Sequence, residues 1–280
     1  MTTRHIELPQ EPGPIGVFDS GFGGLTILSA LRRRLPGYDY LYLGDNSRAP
    51  YGTRPFDEVY HYTLEAVQSL FARGCHLVIL ACNTASAKAL RTIQQRDLPV
   101  IDPQRRVLGV IRPTAEALGG LTRSGHIGIL GTPGTVASRS YDMEIAHLHP
   151  GYVVTSHACP MWVALVEYGE AASAGADYFV AKDMATLLAA DPLIDTVVLG
   201  CTHYPLLMPK IRAVAPEGVR IVSQGDIVAD SLADYLRRHP DMDARLTCGG
   251  SAQYLTTGDP AAFDSLAAAF VGQPVKSTQI

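Results

Sequence analysis

Short apolar runs of strand length alternate with amphipathic stretches of helix length along nearly the whole chain. Strand-then-helix order of this kind restricts a polypeptide to parallel sheets covered by helices on both faces. The strand candidates are residues 15–19, 38–43, 76–81, 126–130, 151–156, 196–200 and 219–222. Between the second and third, residues 56–73 place apolar side chains at Phe56, Val59, Tyr60, Leu64, Val67, Leu70 and Phe71, the three-and-four spacing of one helix face. A last helix is predicted over residues 260–271, packed back on the first lobe, with a polar, frayed tail at 273–280.

A weak internal repeat divides the chain. Ile15-Gly16-Val17-Phe18-Asp19-Ser20-Gly21 opens one half and Ile127-Gly128-Ile129-Leu130-Gly131-Thr132 opens the other. Each half runs from a strand through a hydroxyl-bearing turn to a later strand that ends in Cys and Thr. Chance likeness between apolar strands is the alternative, since the period far exceeds that of solenoid repeats. If the repeat is real, two similar lobes bring both turns and both thiols to one cleft. The expected lobes are 1–112 with 223–280, carrying Asp19 and Cys82, and 113–222, carrying Cys201 and His203. Proline-marked residues 98–113 are expected to cross between them, and Ser223-Gln224-Gly225-Asp226 to return.

Composition narrows the class. With 280 residues, 47% hydrophobic and 18% charged, the chain can bury a substantial core. A net charge of −4 argues against a nucleic-acid surface, and Arg32-Arg33-Arg34 reads as cations complementing a helix C-terminus. Met1-Thr2-Thr3-Arg4-His5 lacks the apolar core of a secretion signal and no run approaches membrane-spanning length, so the cytoplasm is the expected compartment. The five cysteines, at 75, 82, 159, 201 and 248, form an odd set without a CxxC pair, which argues against a disulfide framework and a structural zinc site. No His, Asp or Glu set has metal-ligand spacing, and most of the nine histidines, such as His147 and His149, read as surface residues. No metal is expected.

Chemistry concentrates at two strand ends. Leu77-Val78-Ile79-Leu80-Ala81-Cys82-Asn83-Thr84 and Thr196-Val197-Val198-Leu199-Gly200-Cys201-Thr202-His203 each deliver a thiol where open parallel sheets bind ligands. Either cysteine alone reads equally as core filler. Matched contexts favour an acid–base pair, with His203 as a proton partner to Cys201. Phe18-Asp19-Ser20-Gly21-Phe22-Gly23-Gly24 is a Gly-rich turn that lacks both the Walker Lys and the dinucleotide fingerprint, so it suits a small carboxylate. Asp19 can instead serve only as a helix cap. Asp45-Asn46-Ser47-Arg48-Ala49-Pro50-Tyr51-Gly52 reads as a surface turn or as one side of the cleft. Cys75 and Cys248 read as structural, and Cys159, before Pro160, stays ambiguous.

These residues resemble glutamate racemases, cofactor-independent enzymes of the aspartate/glutamate racemase superfamily. The likeness rests on Phe18–Gly24, Pro50-Tyr51-Gly52, Cys82-Asn83-Thr84-Ala85-Ser86, Gly131-Thr132 with Thr135, and Gly200-Cys201-Thr202-His203-Tyr204-Pro205, and it continues to Leu255-Thr256-Thr257-Gly258. It implies an α/β fold of two similar doubly wound, flavodoxin-like parallel-sheet lobes with the active site between them. It implies a two-thiol racemisation of glutamate for peptidoglycan synthesis, without cofactor, in a cytoplasmic enzyme that is often a homodimer. By motif position Cys82 takes the α-proton of D-glutamate and Cys201 that of L-glutamate, helped by Asp19 and by His203 respectively, with Glu167 behind the histidine. Ser20, Pro50, Tyr51, Gly52, Asn83, Thr84, Thr132, Thr135 and Thr202 form the implied substrate shell. The chain departs from the family in Asp102-Pro103-Gln104-Arg105-Arg106 and at Arg112. An aspartate or hydantoin racemase shares the thiol pair, a gyrase-binding protein needs no catalysis, and a redox protein would join Cys82 to Cys201.

Overall fold

In the computed structural model, which describes residues 8–280, the alternation resolves into two wholly parallel sheets. The strands are β1 (Ile15–Asp19), β2 (Tyr40–Gly44), β3 (Leu77–Leu80), β4 (Arg106–Gly109), β5 (His126–Gly131), β6 (Val153–Ala158), β7 (Thr196–Gly200), β8 (Arg220–Val222), β9 (Ala252–Thr256) and β10 (Ser277–Gln279). One sheet has the order β10-β9-β2-β1-β3-β4 and the other β6-β5-β7-β8. The repeat seen in the sequence is therefore a topological one. Each opening strand, β1 or β5, lies between its successor and the strand that leads into a cysteine.

Period-two alternation sorts side chains to opposite faces of each sheet. In the six-stranded sheet Ile15, Val17, Tyr40, Tyr42, Leu77 and Ile79 enter one core, while Phe18, Leu41, Leu43, Val78 and Leu80 enter another. In the smaller sheet Leu130, Val197 and Leu199 face one core and Ile127, Ile129 and Val198 the other. Full burial of such a side chain contributes about 1.5–3 kcal/mol. Helices cover both faces, so these strands tolerate near-continuous apolar runs. The helix Phe56–Ala72 buries the predicted stripe at Val59, Tyr60, Val67, Leu70 and Phe71, and leaves Phe56 exposed. No helix among the described residues is long and apolar enough to cross a membrane; the Met1–His5 reading lies outside those residues.

Three elements depart from expectation. Residues 98–113 supply a helix (Leu98–Ile101) and the edge strand β4 before the chain leaves the sheet. Arg105, fully buried, anchors this segment by donating to the carbonyls of Phe71 and Cys75 at 2.9 and 2.6 Å and to that of Pro9. The 273–280 tail is ordered: Ser277–Gln279 pairs with β9, and the Ser277 amide donates to Asp264. Nor are most of the histidines superficial: among the described residues only His61 and His147 are exposed. His149 is half-buried with Nε2 3.0 Å from the Ala115 carbonyl oxygen, and His76 is buried with Nε2 bonded to the Glu11 carbonyl. As predicted, the helix Pro260–Val271 packs on the first lobe, where Phe263 joins the core around β1. Arg33 and Arg34 end the helix Leu25–Arg34 and pair with Asp226 and Asp230 of the helix Gly225–Arg238.

Candidate active site

The carboxyl ends of β1, β3, β5 and β7 converge on a cleft of about 370 Å³, counting its open mouth. Its lining includes Ser20, Pro50, Tyr51, Gly52, Cys82, Asn83, Thr84, Thr132, Glu167, Cys201, Thr202 and His203, together with Ala49 and Val163. Asp19 lies buried just behind it and Thr135 beside Thr132.

On the first wall β1 ends at Asp19 and the Gly-rich turn follows. Asp19 Oδ1 accepts from the Gly21 amide at 2.9 Å and Oδ2 from the Thr202 hydroxyl at 3.4 Å. The carboxylate therefore braces the turn and reaches the opposite wall; it does not cap the helix Leu25–Arg34, whose start has no side-chain cap. Gly23 allows that approach, because a Cβ there would stand 2.2 Å from Thr202 Oγ1 and 2.5 Å from His203 Nδ1. Cys82 follows β3 and caps the helix Asn83–Lys88: its sulfur accepts from the Ala85 amide at 3.4 Å and lies 3.4 Å from Ser20 Oγ.

On the second wall Cys201 Sγ lies 3.9 Å from His203 Nδ1, and His203 Nε2 lies 2.9 Å from Glu167 Oε1. Glu167 closes the helix Trp162–Glu167; Gly169, at φ +75°, turns the chain away in a conformation that favours glycine. The ring of Phe270 stands edge-on to His203, with centroids 5.6 Å apart. Between the walls, Thr84 joins Thr132 at 2.9 Å and Thr135 at 3.2 Å, and the Gly134 amide donates to the Gly52 carbonyl. Tyr51 is buried against Phe18, and its hydroxyl donates to Asp45, which also accepts from Thr257 at 2.7 Å. The Asp45–Gly52 stretch is thus a wall of the cleft tied down from β9, not a free surface turn.

Electrostatics distinguish the two thiols' surroundings. Burial, reinforced by the Asp19 carboxylate, pushes the Cys82 thiol up to about 12, against the opposing pull of Ser20 and the Ala85 amide. Burial also raises Asp19, although His203 and the turn amides draw it back. Burial disfavours a charged His203, yet its bonds to Cys201 and Glu167 prevail and raise it to about 10. Burial thus favours the protonated form of Cys82 on one side, and the contacts with Cys201 and Glu167 favour the protonated form of His203 on the other.

Every site residue proposed from the sequence falls in or against this cleft. Sequence reasoning missed the groups that fix Asn83. Its Nδ2 donates to Gln224 Oε1 at 2.6 Å, Gln224 Nε2 donates to the Tyr141 hydroxyl at 2.8 Å, and Tyr141 donates to Asn83 Oδ1 at 2.7 Å. These residues lie far apart in the chain, so no local pattern announces them.

Comparison with known proteins agrees with this geometry. The family model described as Asp/Glu/Hydantoin racemase matches residues 25–232. A glutamate racemase from Ruegeria pomeroyi is 42% identical over 271 residues, covering 93% of this chain and 97% of its own. The crystal structure of a glutamate racemase isoform from Bacillus anthracis superimposes with a TM-score of 0.87 at 34% identity, covering 96% of this chain and 97% of that one. That of the Francisella tularensis glutamate racemase in complex with D-glutamate does so with a TM-score of 0.84 at 27% identity and the same coverage.

Proposed function

This chain belongs to the Asp/Glu/Hydantoin racemase family, and from that premise we propose that it interconverts L- and D-glutamate by a two-thiol acid–base mechanism without a cofactor. The observation that carries this reading is the pairing of two buried thiols on facing walls of one cleft, each with its own polar partner.

Inverting an α-carbon means taking a proton from one face and returning one to the other. In the L-to-D direction the Cys201 sulfur, as thiolate, accepts the α-proton of L-glutamate, leaving the C–H electron pair on the α-carbon and its carboxylate. Cys82, held as a thiol, then donates its proton to the opposite face. The reverse reaction exchanges the two roles. The raised Cys82 supports its part as acid in the first direction, because a thiol that resists ionisation still carries its proton when the carbanion forms. His203, tied to Glu167, supports Cys201, and Asp19 supports Cys82 through its charge. The hydroxyls of Ser20, Thr84, Thr132, Thr135 and Thr202 and the amide of Asn83, with Pro50, Tyr51 and Gly52, form the substrate shell. Oriented donors stabilise the developing dianion.

On this reading the lobes are 1–112 with 223–280 and 113–222, the product feeds peptidoglycan synthesis and so cell-wall biogenesis and cell shape, and the enzyme works in the cytoplasm as a homodimer. Chiral assay of the purified chain tests the activity. Both glutamate enantiomers are expected to racemise, with solvent deuterium entering product before substrate, and L-aspartate to turn over poorly. Cys82→Ser or Cys201→Ser is expected to cut the rate by at least about 10²–10⁴-fold in both directions. Full activity in either variant, or faster turnover of aspartate, overturns the assignment.

A further inference from the structure

Outside the cleft, β6 ends in His157 and Ala158, and Cys159 extends its ladder through an amide bond to the Gly131 carbonyl. Two positions apart on extended chain, His157 and Cys159 project to the same face. That face meets the helix Ala174–Ala190, which presents Asp183. One ligand-capable atom from each of the three lies within 4.8 Å of the others, the one such group of His, Cys, Asp and Glu among the described residues. None of the three lines the cleft.

A plain His–Asp pair accounts for only half of this cluster. Asp183 Oδ1 takes the hydrogen bond from His157 Nε2 at 3.0 Å. Its other oxygen, Oδ2, is buried without a partner, on a residue only 6% exposed. A buried acceptor left without a donor is costly, the more so when charged. The Cys159 sulfur, also buried, lies 4.0 Å from the carbonyl of His157 and faces the Asp183 carboxylate. An imidazole, a thiol and an unsatisfied carboxylate around one point are the donor set of a borderline-soft divalent ion. The His157 side chain, 25% exposed, provides the way in.

We propose that His157, Cys159 and Asp183 form a binding site for a divalent transition-metal ion of the zinc class, distinct from the substrate cleft. Binding breaks the Cys159 S–H bond, forms a metal–sulfur bond and releases the proton to solvent; a fourth position stays open for water. The site lies at the root of the catalytic arm: the Tyr204 hydroxyl donates to the Cys159 carbonyl at 3.2 Å, and the next helix leads to Glu167.

Cobalt(II) is the probe, added to the full chain carrying Cys82→Ser and Cys201→Ser so that neither cleft thiol can ligate it. One cobalt per chain is expected, with a thiolate charge-transfer band in the near ultraviolet that zinc abolishes by displacement. Cys159→Ser should remove the band, and His157→Ala, at a part-exposed position, should weaken binding at least tenfold while leaving circular dichroism unchanged. If Cys159→Ser does not fold, His157→Ala decides. Absence of the band in the parent, its survival in folded Cys159→Ser, or an unchanged cobalt affinity in His157→Ala overturns the site.

Discussion

His203 is a cleft side chain whose protonation on folding has a measurable consequence. Its pKa in the folded chain is raised from 6.5 to about 10, so folding retains a proton that the unfolded chain sheds. The resulting stabilisation is complete below about pH 6.5 and is lost as pH climbs through 10. Urea unfolding of the chain at pH 6, 8 and 10 is therefore expected to show falling stability across that range. Glu167→Gln removes one of the two supports of the imidazolium, so the decline should begin at lower pH, and the alkaline limb of L-glutamate turnover should move the same way. An unchanged profile in Glu167→Gln would show that the 2.9 Å contact contributes nothing. At this scale the sequence was most legible where chemistry is local. Cys82, Asn83 and Thr84 are consecutive, and His203 stands two positions from Cys201. Ser20 beside Cys82 and Glu167 behind His203 are long-range contacts, and Glu167 came into view only through the family resemblance.

Elements position the site through their junctions more than through their lengths. Gln224 stands at the N-cap of the helix Gly225–Arg238, where the chain returns from the smaller sheet, and it also donates to Thr114 at 2.9 Å, just past the outward crossing. The closed ring of Asn83, Gln224 and Tyr141 therefore ties both crossings to the helix that Cys82 caps. Each member satisfies the next, which makes the ring costly to open. Gln224→Met keeps the volume and removes the bonds. It is expected to cost about 1–3 kcal/mol of stability and to raise KM for glutamate roughly tenfold, with less change in kcat, because the Asn83 amide loses its fixed orientation. Tyr141→Phe should move both quantities less, in the same direction. Steady-state kinetics beside urea denaturation separates the outcomes: lost stability with an unmoved KM would confine the ring to structure. The strands that escaped prediction have a common cause. β4 carries Arg106 and Gly109, β9 is Ala-Gln-Tyr-Leu-Thr with a single pair of large apolar residues, and β10 is Ser-Thr-Gln. Their pairing comes from the open edge of a neighbouring strand, a tertiary circumstance that local hydrophobicity does not encode.

Across the whole molecule, the cleft is built from two sheets whose shared strand order sets like ends face to face, and only the two crossings join them covalently. Hydrogen bonds from Thr84 to Thr132 and from Gly134 to Gly52 close the seam beside the thiols. Ser20 and Asn83 stand on one wall and Thr202 on the other, so on the proposed reading a bound substrate adds further contacts across the seam. The side-chain length of the substrate then becomes a matter of span. On the proposed reading glutamate is expected to reach both walls with its two carboxylates, and aspartate, one methylene shorter, to leave donors on one wall unpaired. On the proposed mechanism the variant lacking both cleft thiols is expected not to turn substrate over, so it isolates binding. At a ligand concentration about 100 times Kd the folded state gains about 2.7 kcal/mol, which for a chain of this size corresponds to a rise in Tm of roughly 5 °C. L- and D-glutamate are expected to give that shift at millimolar concentration, and L-aspartate at the same concentration clearly less. Equal shifts for both amino acids would mean that the cleft does not measure side-chain length, and the glutamate assignment would lose its structural basis.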